Sequence, residues 1–256
     1  MVARILMRSD EDTPHRPSSS TRRVGVRSHS GKGGNRFAHT VPTQGIFRGE
    51  QIRAKCLIYL VTRATPIVRL ALRGILLTAQ RPSEVAGMMV SELHNLDQSN
   101  PHWIITRLRT KNKKAEHMVP LSPAAVLLIN EGLKASKEGW EGKNDRPVFA
   151  GRFNGVKNLA RHSLSHAIRR ILKDEKYKEK FAKFTPHDLR RTAATFAQSM
   201  RVPREYVKAL LNHRDEDVTA TYARWHMVPE KREAVMAIEA AVLQLMPAPA
   251  GLPASA

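Results

Sequence analysis

Residues 185–197 read TPHDLRRTAATFA, a stretch that carries a clear helix-start signal. Thr185 is suited to cap a helix, and Pro186 to occupy the first helical position, where its missing N–H costs nothing. Asp188 adds an acidic group to the first turn, three residues after the cap. The stretch therefore predicts a helix that begins at this point and runs to about Met200.

Two side chains in this stretch suit a bound phosphate. His187 and Arg190 are three residues apart, so they share one face of the predicted helix close to its N-terminus. That end of a helix carries partial positive charge and free N–H groups, which favour an anion. Taken alone, His187 is more often a surface or capping histidine, so the prediction depends on what else lies nearby.

Other polar residues fall at breaks in the apolar pattern. Arg81 follows a strongly apolar helical stretch, Lys111 lies in a polar turn between two β-prone stretches, and His213 follows a helix. Tyr222 comes nine residues after His213. The spacing of apolar residues, with the positions of capping residues and prolines, predicts helices over 66–77, 83–88, 163–173, 203–211, 218–224 and 229–245 and a helix that begins at Ser122 and Pro123. It also predicts a hairpin of strands 103–110 and 118–121 and a short strand over 146–149.

These residue types fit cleavage of a phosphodiester. Two arginines can grip the non-bridging oxygens of a phosphate and stabilise the charge of the transition state. A tyrosine phenol is a weak nucleophile until a base such as histidine removes its proton. A lysine can protonate the leaving oxygen, so this chemistry needs neither a metal ion nor another cofactor.

Four strings occur in order, TAQRPSEVAGM at 78–88, TPHDLRRTAATFA at 185–197, LLNH at 210–213 and TYAR at 221–224. Together they resemble the tyrosine recombinase family, specifically the phage-type integrases, over roughly residues 67–240. The resemblance implies catalytic roles for six residues and a supporting role for a seventh. Arg81 and Arg190 would clamp the phosphate, His187 would accept a proton or bind the phosphate, Lys111 would be the general acid, His213 would bind a phosphate oxygen, Tyr222 would form a 3′-phosphotyrosyl bond, and Glu84 would support the site.

The resemblance also implies a fold and partners. We expect a mainly α-helical catalytic domain with a small antiparallel β-sheet (α+β) over residues 51–246. The expected partners are double-stranded DNA and further copies of the chain, as a homo-tetramer on DNA. A site-specific recombinase of a bacterial or phage-derived mobile element would act in the cytoplasm, associated with the nucleoid.

Composition agrees with a polyanionic partner. The formal net charge is +20, Cys56 is the single cysteine, and no apolar run reaches the ~18 residues of a membrane span. Residues 1–50 are rich in Ser, Arg and Gly and are expected to be a disordered basic segment, and residues 247–256 a flexible tail. A type IB topoisomerase and a basic RNA-binding or structural protein are rival interpretations of the same charge and chemistry.

Two departures from the family pattern leave alternatives open. Family members usually carry a separate N-terminal helical domain, which the residues before Pro66 do not resemble. A truncated, catalytically inactive DNA-binding remnant is therefore the alternative function. The turn after Thr110 is also about one residue longer than the family pattern, which makes Lys113 and Lys114 rivals to Lys111.

Overall fold

The computed structural model describes residues 64–110, 113, 115–136, 145–151, 158–174, 183–213 and 227–245. Within these ranges the chain is mostly helical, with one small antiparallel sheet, as predicted. The helices are α1 (Pro66–Thr78), α2 (Pro82–Ala86), α3 (Pro123–Ala135), α4 (Arg161–Lys173), α5 (Pro186–Ser199), α6 (Arg204–Leu210) and α7 (Val228–Gln244), and the strands are β1 (Leu93–His94), β2 (His102–Ile105) and β3 (His117–Pro120).

Helix α1 is the centre of the core. It packs against α3, α4, α5 and α7, and Leu72 and Ile75 are fully buried. A helix that is covered on several sides needs apolar residues around most of its circumference, which explains the nearly unbroken apolar run of its sequence. The predicted helices over 66–77, 83–88, 163–173, 203–211 and 229–245 are confirmed, with boundaries that shift by a few residues at most.

The sheet confirms the predicted hairpin but changes its length. Strands β2 and β3 pair antiparallel with Trp103 opposite Val119, and β1 adds a third strand at the edge of β2 that the sequence did not predict. Strand β2, the first strand of the hairpin, ends at Ile105. The chain turns there, because the backbone N–H groups of Arg109 and Thr110 both donate to the Thr106 carbonyl. The predicted extension of this strand to Thr110 was therefore wrong.

The predicted strand over 146–149 was also wrong. The structure has only an isolated antiparallel bridge between Met89 and Pro147, flanked by hydrogen bonds from Val148 N to Met88 O and from Val90 N to Arg146 O. The pairing does not extend into a ladder, because the Met88 amide donates to the Val85 carbonyl and Val90–Glu92 form a short 3-10 helix.

The last helix is fastened to the rest of the domain by two polar contacts. On α7, Lys231 Nζ donates to the Met118 carbonyl of β3 at 3.2 Å, and a Glu239 carboxylate oxygen accepts from Ala124 N at the start of α3 at 3.1 Å. Glu239 thereby supplies the capping oxygen expected of Ser122, which occupies the N-cap position while its buried hydroxyl has no partner in the described part of the chain. The apolar face of α7, which includes Ala234 and Ile238, completes the core.

None of the helices described is both long and apolar enough to cross a membrane. Several predictions lie outside the described residues. These are the N-terminal segment 1–50, the start of the predicted catalytic domain at 51–63, Lys111, Lys114, the helix over 218–224 with Tyr222, and the tail 247–256.

Candidate functional site

The N-terminus of α5 places His187 and Arg190 in its first two turns. The Asp188 carboxylate accepts hydrogen bonds from the Thr185 backbone N–H and from the Thr185 hydroxyl, each at 2.8 Å. Thr185 is the N-cap residue, as predicted, and Asp188 forms the capping box with it while also accepting from its hydroxyl. This pair fixes the helix start, and with it the direction in which the His187 and Arg190 side chains leave the backbone.

Arg190 is a buried cation with unused hydrogen-bonding capacity. Its side chain is only 3% exposed; Nη2 donates to the Leu211 carbonyl, and the buried Nη1 has no partner among the described residues. Burial and the positive charge of Arg81 lower the pKa of Arg190 to about 10, while Glu84 opposes the shift. The group is therefore charged at neutral pH, and a buried charge with an unpaired donor is costly unless an anion completes its shell.

Arg81 lies at the break between α1 and α2, as predicted. The left-handed residue Ala79 ends α1 and turns the chain. Glu84 then holds Arg81 twice, because its two carboxylate oxygens accept from the Arg81 backbone N–H and from Nη1, each at 2.9 Å. Glu84 is 3% exposed, so its charge acts at short range on both Arg81 and Arg190. The Glu84 carboxylate fixes the Arg81 guanidinium and offsets part of the electrostatic repulsion between Arg81 and Arg190.

A cleft of about 350 Å³ opens beside these residues and contains the exposed His187. Its lining comes from three segments and consists of Arg81, Pro82, Ser83, Arg161, Ser165, Thr185, Pro186 and His187. Partial desolvation and the positive charges of Arg190 and Arg191 lower the pKa of His187 below its ordinary value, against the opposing charge of Asp188. His187 is consequently neutral at pH 7 and able to accept a proton.

His213 follows the C-terminus of α6. The left-handed residue Asn212 turns the chain there, with hydrogen bonds from Asn212 N to Ala209 O and from His213 N to Lys208 O. This is the Schellman arrangement of a helix end. The exposed His213 is therefore held two residues from Leu211, whose carbonyl receives Arg190.

The base of the hairpin is tied to α2 through Arg109. Its guanidinium donates to the Glu92 carboxylate and to the backbone carbonyl of Glu84. The Glu92 carboxylate also accepts a hydrogen bond from Trp103 Nε1 at 3.0 Å. Gly87 makes room for the Arg109 guanidinium, because an added Cβ would lie 2.8 Å from Arg109 Nη2. Of the three rival lysines, only Lys113 is described; it is exposed and in the left-handed region, with φ of 49°.

The structure thus brings Arg81, Glu84, His187 and Arg190 together. His213 is linked to them through the C-terminal turn of α6, where the Leu211 carbonyl accepts from Arg190. Lys111 and Tyr222 lie outside the described residues. Sequence reasoning missed Arg161 and Ser165 of the cleft, because they come from the exposed and intermediate positions of an amphipathic helix with no motif of its own. No group of three or more metal-ligating side chains occurs in the part of the chain that the structure describes.

Sequence reasoning also missed His117 of β3, which is 3% exposed and whose Nε2 lies 3.0 Å from the Leu210 carbonyl. Burial, followed by the charge of Lys231 on α7, lowers the pKa of His117 to about 3, and Arg190 and Arg81 act in the same direction. The histidine is therefore neutral in the folded protein throughout the physiological range.

This shift predicts a loss of stability in mild acid. Below the unfolded-state pKa of about 6.5, the unfolded chain binds a proton at His117 that the folded chain does not bind until about pH 3. Stability from this group is complete above pH 6.5 and falls as the pH drops. Between pH 7 and pH 5, the free energy of unfolding of wild type, measured with denaturant, should fall by about 2 kcal/mol more than that of His117→Gln. Equal losses in the two proteins would contradict a buried neutral histidine.

Comparison with known proteins gives one family match. The model described as the phage integrase family matches residues 52–227. No curated protein sequence matched the chain.

Solved structures of similar fold include three recombinase structures. XerH recombinase bound to difH substrate in a pre-cleavage complex is 20% identical, with a TM-score of 0.49, and the match covers 69% of this chain and 47% of that one. A lambda integrase(75-356) dimer bound to a COC′ core site is 18% identical, with a TM-score of 0.44, and the match covers 65% of this chain and 55% of that one. XerA recombinase is 17% identical, with a TM-score of 0.43, and the match covers 78% of this chain and 61% of that one. The chain therefore spans less than two thirds of the length of each.

Proposed function

The chain belongs to the phage integrase family, and on that premise we propose that it is a site-specific tyrosine recombinase, which breaks and rejoins DNA strands. The catalytic domain would comprise residues 51–246, preceded by a disordered basic segment over 1–50 and followed by a flexible tail over 247–256. Its partner is double-stranded DNA, in keeping with the formal net charge of +20.

The observation that carries the proposal is the buried, charged and incompletely bonded guanidinium of Arg190 beside Arg81. Nη2 is used by the Leu211 carbonyl, and Nη1 has no partner in the described chain. A phosphodiester supplies acceptor oxygens for the unpartnered Nη1 and adds negative charge to the single carboxylate, Glu84, that faces the two guanidiniums. Two fixed guanidiniums also stabilise the extra charge that develops on the phosphoryl oxygens in the transition state.

The proposed reaction is a pair of transesterifications. The Tyr222 hydroxyl attacks the scissile phosphorus, and His187, neutral at pH 7, accepts the phenolic proton. The P–O bond to Tyr222 forms as the bond to the 5′-oxygen breaks, and Lys111 protonates that oxygen. His213 donates to a phosphate oxygen. The products are a 3′-phosphotyrosyl bond and a free 5′-hydroxyl.

The second step reverses the first with a different strand. The 5′-hydroxyl of a partner duplex attacks the phosphotyrosine, restores the phosphodiester and releases Tyr222. Because the phosphotyrosine retains the energy of the broken bond, no nucleotide cofactor is needed.

Exchange between two duplexes requires protomers on both, so we propose a homo-tetramer on DNA. A similar solved structure is described as a lambda integrase tetramer bound to a Holliday junction. A bacterial or phage-derived mobile element is the proposed genetic setting, with action in the cytoplasm at the nucleoid.

Covalent trapping tests the proposal. The protein is mixed with nicked duplexes drawn from the DNA that flanks its gene, so that the 5′-fragment diffuses away after cleavage and the phosphotyrosine accumulates. A protein–DNA band that resists denaturation is the expected result. Salt-sensitive binding without such a band would instead support the alternative function, a truncated and catalytically inactive DNA-binding remnant.

Arg161 of the cleft is predicted to bind a DNA phosphate. Arg161→Ala should weaken DNA binding at all sequences and reduce the slope of log K against log salt by about 1. Arg170→Ala is the matched control, because Arg170 is an exposed arginine in the last turn of the same helix. The two variants are compared by fluorescence anisotropy from low to moderate salt. A slope that Arg161→Ala leaves unchanged would remove this residue from the DNA interface.

A further inference from the structure

Among the residues that the structure describes, no backbone N–H donates to two carbonyls at the C-terminal end of α6. In the Schellman turn, Asn212 N bonds Ala209 O and His213 N bonds Lys208 O, so the carbonyls of Leu210 and Leu211 are free to accept other donors. Both residues are buried, with Leu210 fully so. Acceptors in such a place must be satisfied by side chains that reach them from other parts of the fold.

Three side chains from three different segments supply these hydrogen bonds. Gln80 Nε2 donates to the Leu210 carbonyl at 2.9 Å, His117 Nε2 lies 3.0 Å from the same oxygen, and Arg190 Nη2 donates to the Leu211 carbonyl. Gln80 is also fixed by its own bond to Thr78 O at 2.9 Å. The end of α6 is therefore the point at which the α1–α2 break, strand β3 and helix α5 meet.

The tautomer of the neutral His117 ring follows from its partner. A carbonyl oxygen only accepts, so Nε2 must carry the hydrogen and donate it. Gln80 and His117 share one acceptor with two lone pairs, and both side chains are almost completely buried. Water does not reach this buried site, so the Leu210 carbonyl stays satisfied only while at least one of the two side chains donates to it.

We infer that Gln80 and His117 are positioning residues, which hold the 210–213 turn, and through it Arg190 and His213, in register with Arg81. This inference rests on the proposed function of the site. Gln80 is the covalent neighbour of Arg81, and the Leu210 carbonyl that it holds adjoins the Leu211 carbonyl that holds Arg190. A displacement of this turn would move one guanidinium relative to the other, and an error of about 1 Å in such a clamp can cost about 10²-fold in rate.

The shared acceptor predicts a non-additive pair of substitutions. Either Gln80→Met or His117→Leu removes one of the two donors, and the Leu210 carbonyl still accepts from the donor that remains. The double variant leaves a buried carbonyl with neither donor, which carries the full penalty of an unsatisfied group. We expect each single change to have a small effect and the double change an effect much larger than the product of the two.

The first measurement is amide hydrogen exchange on the full chain without DNA. Exchange at Asn212 and His213 should rise about tenfold or more in the double variant and only slightly in each single variant. His117→Gln, which can place an amide donor near the position of Nε2, should stay close to wild type. Ser136→Ala is the control, because it removes a buried side-chain bond to the Val148 carbonyl without touching this turn. Unchanged exchange at 212–213 in the double variant would overturn the inference, whether or not the protein cleaves DNA.

The second measurement is the cleavage rate at saturating DNA. The double variant should cleave about 10²-fold more slowly than wild type, with its Kd for DNA within about twofold and with rescue when Gln stands at position 117. If the double variant does not fold, the single variants decide: His117→Leu should cleave about two- to fivefold more slowly than wild type, and His117→Gln at the wild-type rate. Wild-type cleavage with an unchanged rate in the double variant, or in His117→Leu where that variant takes its place, overturns the inference and leaves the proposed function standing. Failure of wild type itself to cleave removes the proposed function, and the hydrogen-exchange result then stands on its own.

Discussion

A Tyr222→Phe variant is expected to form no detectable covalent complex with DNA, a loss of about 10⁴-fold or more, while it still binds the same duplexes. The substitution removes the single oxygen that would attack the phosphorus and leaves the aromatic ring in place. Binding should be retained because the cations of the cleft, including Arg81 and Arg161, are unchanged. The measurement is denaturing electrophoresis of trapped complexes beside a native binding assay.

Tyr206→Phe is the matched control for this result. Tyr206 lies on α6, is partly buried and is packed against the hydrophobic core. Its hydroxyl has no role in the proposed chemistry, so the covalent complex should form at a rate within about twofold of wild type. A complex that persists in Tyr222→Phe would mean that another group is the nucleophile.

Arg190→Lys is expected to lower the cleavage rate by about 10²–10³-fold at saturating DNA. Lysine keeps the positive charge but replaces the planar fork by one ammonium nitrogen, so it loses the fixed geometry in which Nη2 bonds the Leu211 carbonyl and Nη1 is left for a phosphate oxygen. The rate of covalent complex formation should therefore fall much more than the affinity for DNA. Single-turnover cleavage of a nicked duplex, with the Kd measured separately, distinguishes the two effects.

Arg191→Lys is the control for Arg190→Lys. Arg191 is the next residue on α5, it is exposed, and it pairs with Asp188 at 2.9 Å on the helix surface. An exposed pair of this kind contributes little, so cleavage should change by no more than about twofold. Equal rates for wild type and Arg190→Lys would contradict the proposed phosphate clamp.

The elements that sequence could predict are those with strong local signals. Helix α1 has an apolar run that fits only a buried helix, and α5 has a proline at its first position and an acidic residue in its first turn. The same local logic placed Arg81 at a helix break and put His187 and Arg190 on one face. The structure brings these residues together with Glu84, while the roles of all the site residues, Lys111, His213 and Tyr222 included, stay predictions.

The features that sequence missed depend on partners far away along the chain. The start of α3 takes its capping oxygen from Glu239, more than a hundred residues later, rather than from Ser122. His117 reads as an ordinary strand residue, yet its partner is the carbonyl of Leu210. A backbone carbonyl has no sequence signature, so no local pattern could have indicated that Gln80 and His117 meet there.

The most direct test of strand cleavage through Tyr222 is the identity of the residue that carries the DNA. A trapped complex is digested with nuclease and trypsin, and the modified peptide is sequenced by mass spectrometry. Cleavage after Arg214 and Arg224 would give a peptide in which Tyr222 is the only tyrosine and Thr219 and Thr221 are the competing hydroxyl groups. A nucleotide attached through its 3′-phosphate to Tyr222 is the predicted result. A nucleotide on either threonine or on another peptide, or no adduct from a protein that binds the duplex, would contradict it.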